Sequence, residues 1–181
     1  MEDTGKKGSF KPIIFIFILS FVLLFIWDKF PFIKDSVHSV LDPTAGWLLN
    51  WNLNIGMLII VFIITLITTI VQKYATDQKA LRELKKEQKI LQEEMKKYRD
   101  HPEKIAELSK KQFEFIPKTM KLTSRSIMFT GIPFILFFRW FRDTFTAMGD
   151  PVFLGFMSWF LFYIIFTMIF SSILRKVLKV V

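Results

Sequence analysis

Apolar residues fall in four blocks along this chain, and the polar stretches between them are sorted by charge. The first block, Ile13–Trp27, has Ser20 as its single polar side chain. At about 1.5 Å per residue it reaches roughly 22 Å, short of a hydrocarbon core of about 30 Å. Leu53–Val71 reaches about 28 Å and is a credible span. Ile127–Trp140 is apolar but carries Gly131, Pro133 and Arg139, and Val152–Leu174 is the clearest span. Four membrane helices in an all-α fold are therefore predicted.

Between the second and third blocks the period changes. Tyr74, Leu81, Gln88 and Met95 recur every seven residues, and so do Asp77, Leu84, Leu91 and Tyr98. These are partly apolar a and d positions of a heptad with charge elsewhere. Asp100-His101-Pro102 breaks that helix, because proline has no backbone N–H and clashes with the preceding turn. A second helix follows with Ile105, Leu108, Phe115 and Ile116 as its apolar face. The expectation is an antiparallel coiled-coil hairpin over residues 72–125, with Pro117 ending or kinking its return arm.

Charge then orients the chain. Residues 72–125 hold fifteen basic against nine acidic residues, within a chain of net charge +9. Lys6, Lys7, Lys11, Arg175, Lys176 and Lys179 add to the same side if both termini and the hairpin are cytoplasmic. The opposite side would keep only Lys29, Lys34, Arg139 and Arg142. Retention of Lys and Arg in cytoplasmic segments favours that topology. The division expected is a tail and extra transmembrane helix over 1–27, then an extracytoplasmic loop over 28–52. A first core helix occupies 53–71, the cytosolic hairpin 72–125, the second and third core helices 126–174, and a basic cytosolic tail 175–181. The basic face suits anionic lipid headgroups or ribosomal RNA as neighbours. No Asp-Lys-Phe-Pro segment is a cleavage site, so Ile13–Trp27 reads as an uncleaved signal anchor.

Polar positions at membrane depth need a reason, because lipid offers no water. Thr65, Thr68, Thr69 and Gln72 share one helical arc, with Lys73 following at its end. Trp159, Tyr163, Thr167 and Ser171 are spaced by four and make a second stripe. Two readings are open. The hydroxyls bond back to their own helices or join helices together, or they line a hydrated recess. Arg139, beside Trp140, reads as snorkelling to the outer headgroups. Phe113, Phe115, Ile116, Met120 and Met128 near the membrane, together with Met95 on the hairpin, are adaptable apolar side chains suited to contacting hydrophobic clients or a ribosome.

The chain contains no Cys, and its two histidines, His38 and His101, each stand alone. No phosphate loop, nucleophile elbow or metal-ligand spacing is present. An enzyme is not expected, and neither is a cofactor or metal.

One resemblance brings these features together. The string Gln72-Lys73, Asp77-Gln78-Lys79-Ala80-Leu81-Arg82-Glu83-Leu84-Lys85-Lys86 leaves a span and enters a charged hairpin. Lys111-Gln112, Pro117-Lys118-Thr119-Met120-Lys121 and a proline-containing span with Trp140 follow, then Trp159, Tyr163, Ser171 and Arg175-Lys176. In this order, over Leu53–Val181, the chain resembles the archaeal YidC-like proteins of the YidC/Oxa/Alb superfamily of membrane protein insertases. The resemblance implies a three-helix core, with Ile13–Trp27 added before it. It also implies a hydrophilic groove open to cytoplasm and lipid, and a hairpin that meets clients or ribosomes. The first core span has no arginine matching the groove arginine of bacterial members.

The function expected is a multi-pass insertase of an archaeal plasma membrane. It would pass short-tailed, newly made membrane proteins into the bilayer without nucleotide. Thr65, Thr68, Thr69, Gln72, Lys73, Tyr163, Thr167 and Ser171 would line its groove. The alternatives are a membrane-anchored coiled-coil scaffold and a small oligomeric cation channel.

Overall fold

A computed structural model describes residues 11–180, and the tail before them lies outside the described residues. Helix α1 spans Lys11–Ile26 and α2 spans Pro31–Leu41. A π-helical turn, Asp42–Gly46, leads into the short α3, Trp47–Trp51. Then come α4 (Leu53–Ala75), α5 (Gln78–Lys97), α6 (Pro102–Ala147) and α7 (Trp159–Leu178). No strand is present among the described residues, only one isolated bridge between Phe153 and Met157. The segment expected to be a loop over 28–52 is therefore helical for most of its length.

Local chemistry sets the boundaries. Asn52 Oδ1 accepts from Ile55 N at 3.0 Å and caps α4. Asp77 Oδ1 accepts from Lys79 N and Ala80 N and starts α5. Each cap satisfies N–H groups that have no partner inside the helix. Pro102 opens α6, where its missing N–H costs nothing. Of the two outcomes expected at Pro117, an end or a kink, the first does not occur. Helix α6 runs through both Pro117 and Pro133, so the return arm and the next membrane segment are one helix of 46 residues.

Helices α4 and α7 are long and apolar enough to cross a membrane. They run side by side in the same direction and form the most extensive helix pair. Helix α1 is shorter, and it packs on α6 where the two backbones come close. A Cβ on Gly131 would lie 2.9 Å from Ile16 Cγ2, so any larger residue there would require the Ile16 side chain to shift. Gly56 plays the same part between α3 and α4, where a Cβ would lie 2.2 Å from the Leu48 carbonyl oxygen.

The main core gathers at the end of the bundle away from α5, hereafter the distal end. Trp140, Phe141 and Phe145 of α6 meet Phe153, Trp159, Phe162 and Tyr163, with Met57, Ile60 and Val61 of α4 beneath them. Phe141 and Phe145 stack at 5.6 Å, and Phe145 stacks on Trp159 at 5.7 Å. A second, smaller cluster of Leu84, Leu91, Leu108 and Phe115 joins α5 to the start of α6 across the turn at 98–101. Of the seven-residue repeat, Leu84 and Leu91 are buried in this cluster, while Tyr74 and Tyr98 at its ends are exposed.

Candidate functional site

The polar stripe of α4 turns inward against its own helix. Thr65 Oγ1 donates to the Val61 carbonyl and Thr69 Oγ1 to the Thr65 carbonyl, both at 2.7 Å. These residues are only 4% and 2% exposed. Thr68, half-buried, bonds back to Ile64 in the same way. A threonine that pairs with its own backbone sits in an apolar contact without an unmet donor. Tyr163 lies buried in the distal aromatic core, its ring 5.3 Å from Phe138. Thr167 Oγ1, one turn further along α7, is buried next to Tyr163.

The stripe becomes polar and more open at the proximal end, next to α5. Arg175 Nη2 donates to Gln72 Oε1 at 2.9 Å, and Arg175 Nε donates to Ser171 Oγ at 3.2 Å. Gln78 Nε2 donates to the Gln72 carbonyl across the break between α4 and α5. The Lys73 ammonium lies 5.9 Å from the Tyr74 ring centre. Arg82 Nη2 donates to the Lys179 carbonyl at 2.9 Å and thereby ties α5 to the end of α7. Gln72 and Ser171, predicted on separate stripes, are thus brought together. Arg175 holds both and was not among the predicted site residues. It is four residues beyond Ser171, so one more step along the 159, 163, 167, 171 spacing reaches it.

The apolar residues expected to contact clients divide into two groups. Phe115 is buried in the cluster between α5 and α6, and Met95 packs against that cluster. Phe113, Ile116 and Met128 are exposed, while Met120 is half-buried. Beside Phe115 is a crevice of about 360 Å³ lined by Ile90 and Leu91, with Glu87, Glu114, Lys111 and Lys118 around it.

A second polar cluster lies at the distal end, where no site was expected. Arg139 does not reach outward as a free cation. It is 8% exposed, donates to Asp28 Oδ2 at 3.0 Å, and stands 5.5 Å over the Trp27 ring. Asp143 Oδ2 accepts from Trp27 Nε1 at 2.8 Å and pairs with Lys34 at 3.1 Å. Partial burial pushes the Asp143 carboxyl upward, but the Trp27 and Lys34 contacts outweigh it and hold the group below its ordinary value. His38, expected to stand alone, lies between Asp42 at 3.1 Å and Asp143 at 3.6 Å. Trp140 Nε1 donates to Asp42 Oδ1 at 2.7 Å. Lys34, His38 and Asp42 are spaced by four on one face of α2 and its extension, a signal the sequence carried.

Two helices long and apolar enough to cross a membrane, with a charged pair of helices between them in the chain, point to an integral membrane protein. The model of the family described as integral membrane protein EMC3/TMCO1-like matches residues 38–153. The chain belongs to that family, within the insertase-related superfamily, and the family is linked to membrane protein insertion. The match is to this family and not specifically to archaeal YidC-like proteins. It begins within α2, earlier than the resemblance above, and ends before α7. No curated protein and no solved structure matches the chain.

Proposed function

We propose that this protein moves short-tailed transmembrane segments of newly made proteins into the bilayer, without nucleotide and without enzymatic chemistry. The observation that carries this reading is the polar knot of Gln72, Ser171 and Arg175. It lies where the two spanning helices meet the base of α5. A charged residue at the bilayer centre costs about 2.5–3.5 kcal/mol on insertion scales. A polar entrance reaching partway into the membrane removes part of that cost for a short tail. Burial of the client's apolar segment in lipid then drives the transfer.

In this reading α5 and the first part of α6 form a cytosolic coiled-coil hairpin. Its basic surface meets ribosomal RNA or anionic lipids, and Phe113, Ile116, Met120 and Met128 meet the client. Both termini face the cytoplasm of a plasma membrane, the side that the excess of Lys and Arg favours. Thr65, Thr68, Thr69 and Thr167 line the deep part of the groove only while a client holds α4 and α7 apart. Lys73, Gln72 and Ser171 form its permanent mouth.

The chain has no cysteine, so single cysteines report without background. Cysteines replacing Lys73 and Ser171 are expected to react with a membrane-impermeant thiol reagent in the resting protein. Cysteines replacing Thr65 and Thr69 are expected to react only during insertion of a polar-tailed client into liposomes. If Thr65→Cys and Thr69→Cys stay protected while insertion proceeds, the groove is not the route. The back-bonded, buried Thr65 and Thr69 hydroxyls favour a second reading, a membrane-anchored scaffold. That reading predicts protection of both positions under all conditions, together with absence of insertion.

A further inference from the structure

Basic residues are scarce on the side of the chain opposite the hairpin. Yet three of the four found there, Lys34, Arg139 and Arg142, line a single cavity of about 500 Å³. They come from separate elements, Lys34 from α2 and the two arginines from the distal end of α6. Asp28, Asp143, Thr146 and Ala147 complete the walls. Both carboxylates are already matched, Asp28 by Arg139 and Asp143 by Lys34 and the Trp27 indole. Arg142 is exposed, and no carboxylate pairs with it among the described residues. Arg139 Nε is also buried without an acceptor there. The cavity thus carries one cation more than its own acids neutralise.

Its surroundings are those of a membrane boundary. Phe25 on α1 and Phe30 and Phe32 at the start of α2 are all exposed, and they flank the Trp27–Asp28 segment that supplies one wall. A guanidinium is the side chain best matched to a phosphate, because its planar donors pair with two oxygens at once. Lys34 adds a second, point-like cation, and Thr146 can donate a hydroxyl hydrogen.

We propose that this cavity binds the phosphodiester headgroup of an anionic lipid. Arg142 is the primary ligand, with Lys34 and Thr146 beside it, and the acyl chains lie along the exposed phenyl rings of α1. Arg139 and Trp27 form the floor. The site requires only a membrane-embedded protein, so it stands or falls independently of the insertion reading.

Native mass spectrometry of the full-length protein tests it. Released from micelles holding equal amounts of phosphatidylglycerol and phosphatidylcholine, the protein is expected to retain one phosphatidylglycerol in preference. Arg142→Ala is expected to lower that retention about tenfold, and Arg142→Glu to abolish it. Lys29→Ala, the same loss of charge on the same side but outside the cavity lining, is expected to leave it unchanged. Because Arg142 is exposed and has no acidic partner among the described residues, its variants are expected to melt like the parent protein in lipid-free detergent. Equal retention of the two lipids would overturn the proposal. So would undiminished retention in Arg142→Ala, or an inorganic phosphate adduct that displaces the lipid.

Discussion

The two ends of the bundle are built from different materials. At the distal end Trp140, Phe141, Phe145, Phe153 and Phe162 are completely buried, and indole and carboxylate groups close the rim. At the proximal end α4 and α7 are joined by Gln72, Ser171 and Arg175, side chains that water can replace as partners. Large aromatic contacts are lost only at high cost, whereas polar contacts beside water exchange at little net cost. The aromatic end of such a bundle is its firmer end, and the proposed entry of a client from the hairpin side draws on that difference.

The largest expected effect tests the aromatic end. Phe141→Ala removes a fully buried ring that touches Trp140, Phe145, Trp159 and Tyr163. A loss of about 3–5 kcal/mol is expected, read as unfolding by denaturant in detergent. A loss below that of an exposed-site change would mean that the distal end is not the rigid one.

A middle-sized effect is expected at the distal rim. Asp143→Ala leaves Trp27 Nε1 and Lys34 without their acceptor, at about 1.5–3 kcal/mol. The pH dependence has a definite sign. The folded Asp143 carboxyl is held below its ordinary value of 3.8, so it favours the folded state when ionised. Its contribution is complete at neutral pH and declines as pH falls below about 4, through the folded value. The gap between parent and variant should therefore narrow in acid, and a gap that widens there would contradict the assigned network.

The smallest effect on stability, within about 0.5 kcal/mol, is expected for Phe113→Ser, which changes an exposed side chain on the α6 arm. If client contact occurs there, crosslinking of a stalled nascent chain to this position is lost while folding is kept. Unchanged crosslinking would confine client contact to the proximal knot.

Much of this architecture was legible in the chain. Leu53–Val71 announces α4 because a long apolar run leaves the backbone no partner but itself; the run Val152–Leu174 announces α7 only from Trp159, since Phe153–Met157 instead form a bridged turn. The heptad positions Leu84 and Leu91 pair with the arm bearing Leu108, 1% exposed, because a seven-residue repeat keeps one face in line. The Thr65, Thr68 and Thr69 arc was visible too, but not where its hydroxyls point. Threonine in a helix has a backbone acceptor four residues back regardless of what lies outside it.

Tertiary structure alone decided the rest. Nothing in one-dimensional spacing says that Arg139 pairs with Asp28, or that Trp27 donates to Asp143, residues more than a hundred positions apart. Nor could it say that α6 would continue through Pro117, since a proline inside a helix is tolerated wherever packing outweighs the lost hydrogen bond. Periodicity fixes which side of a helix is apolar. Which polar groups meet depends on how the helices pack, as where Gly56 comes close to α3 and Gly131 to α1.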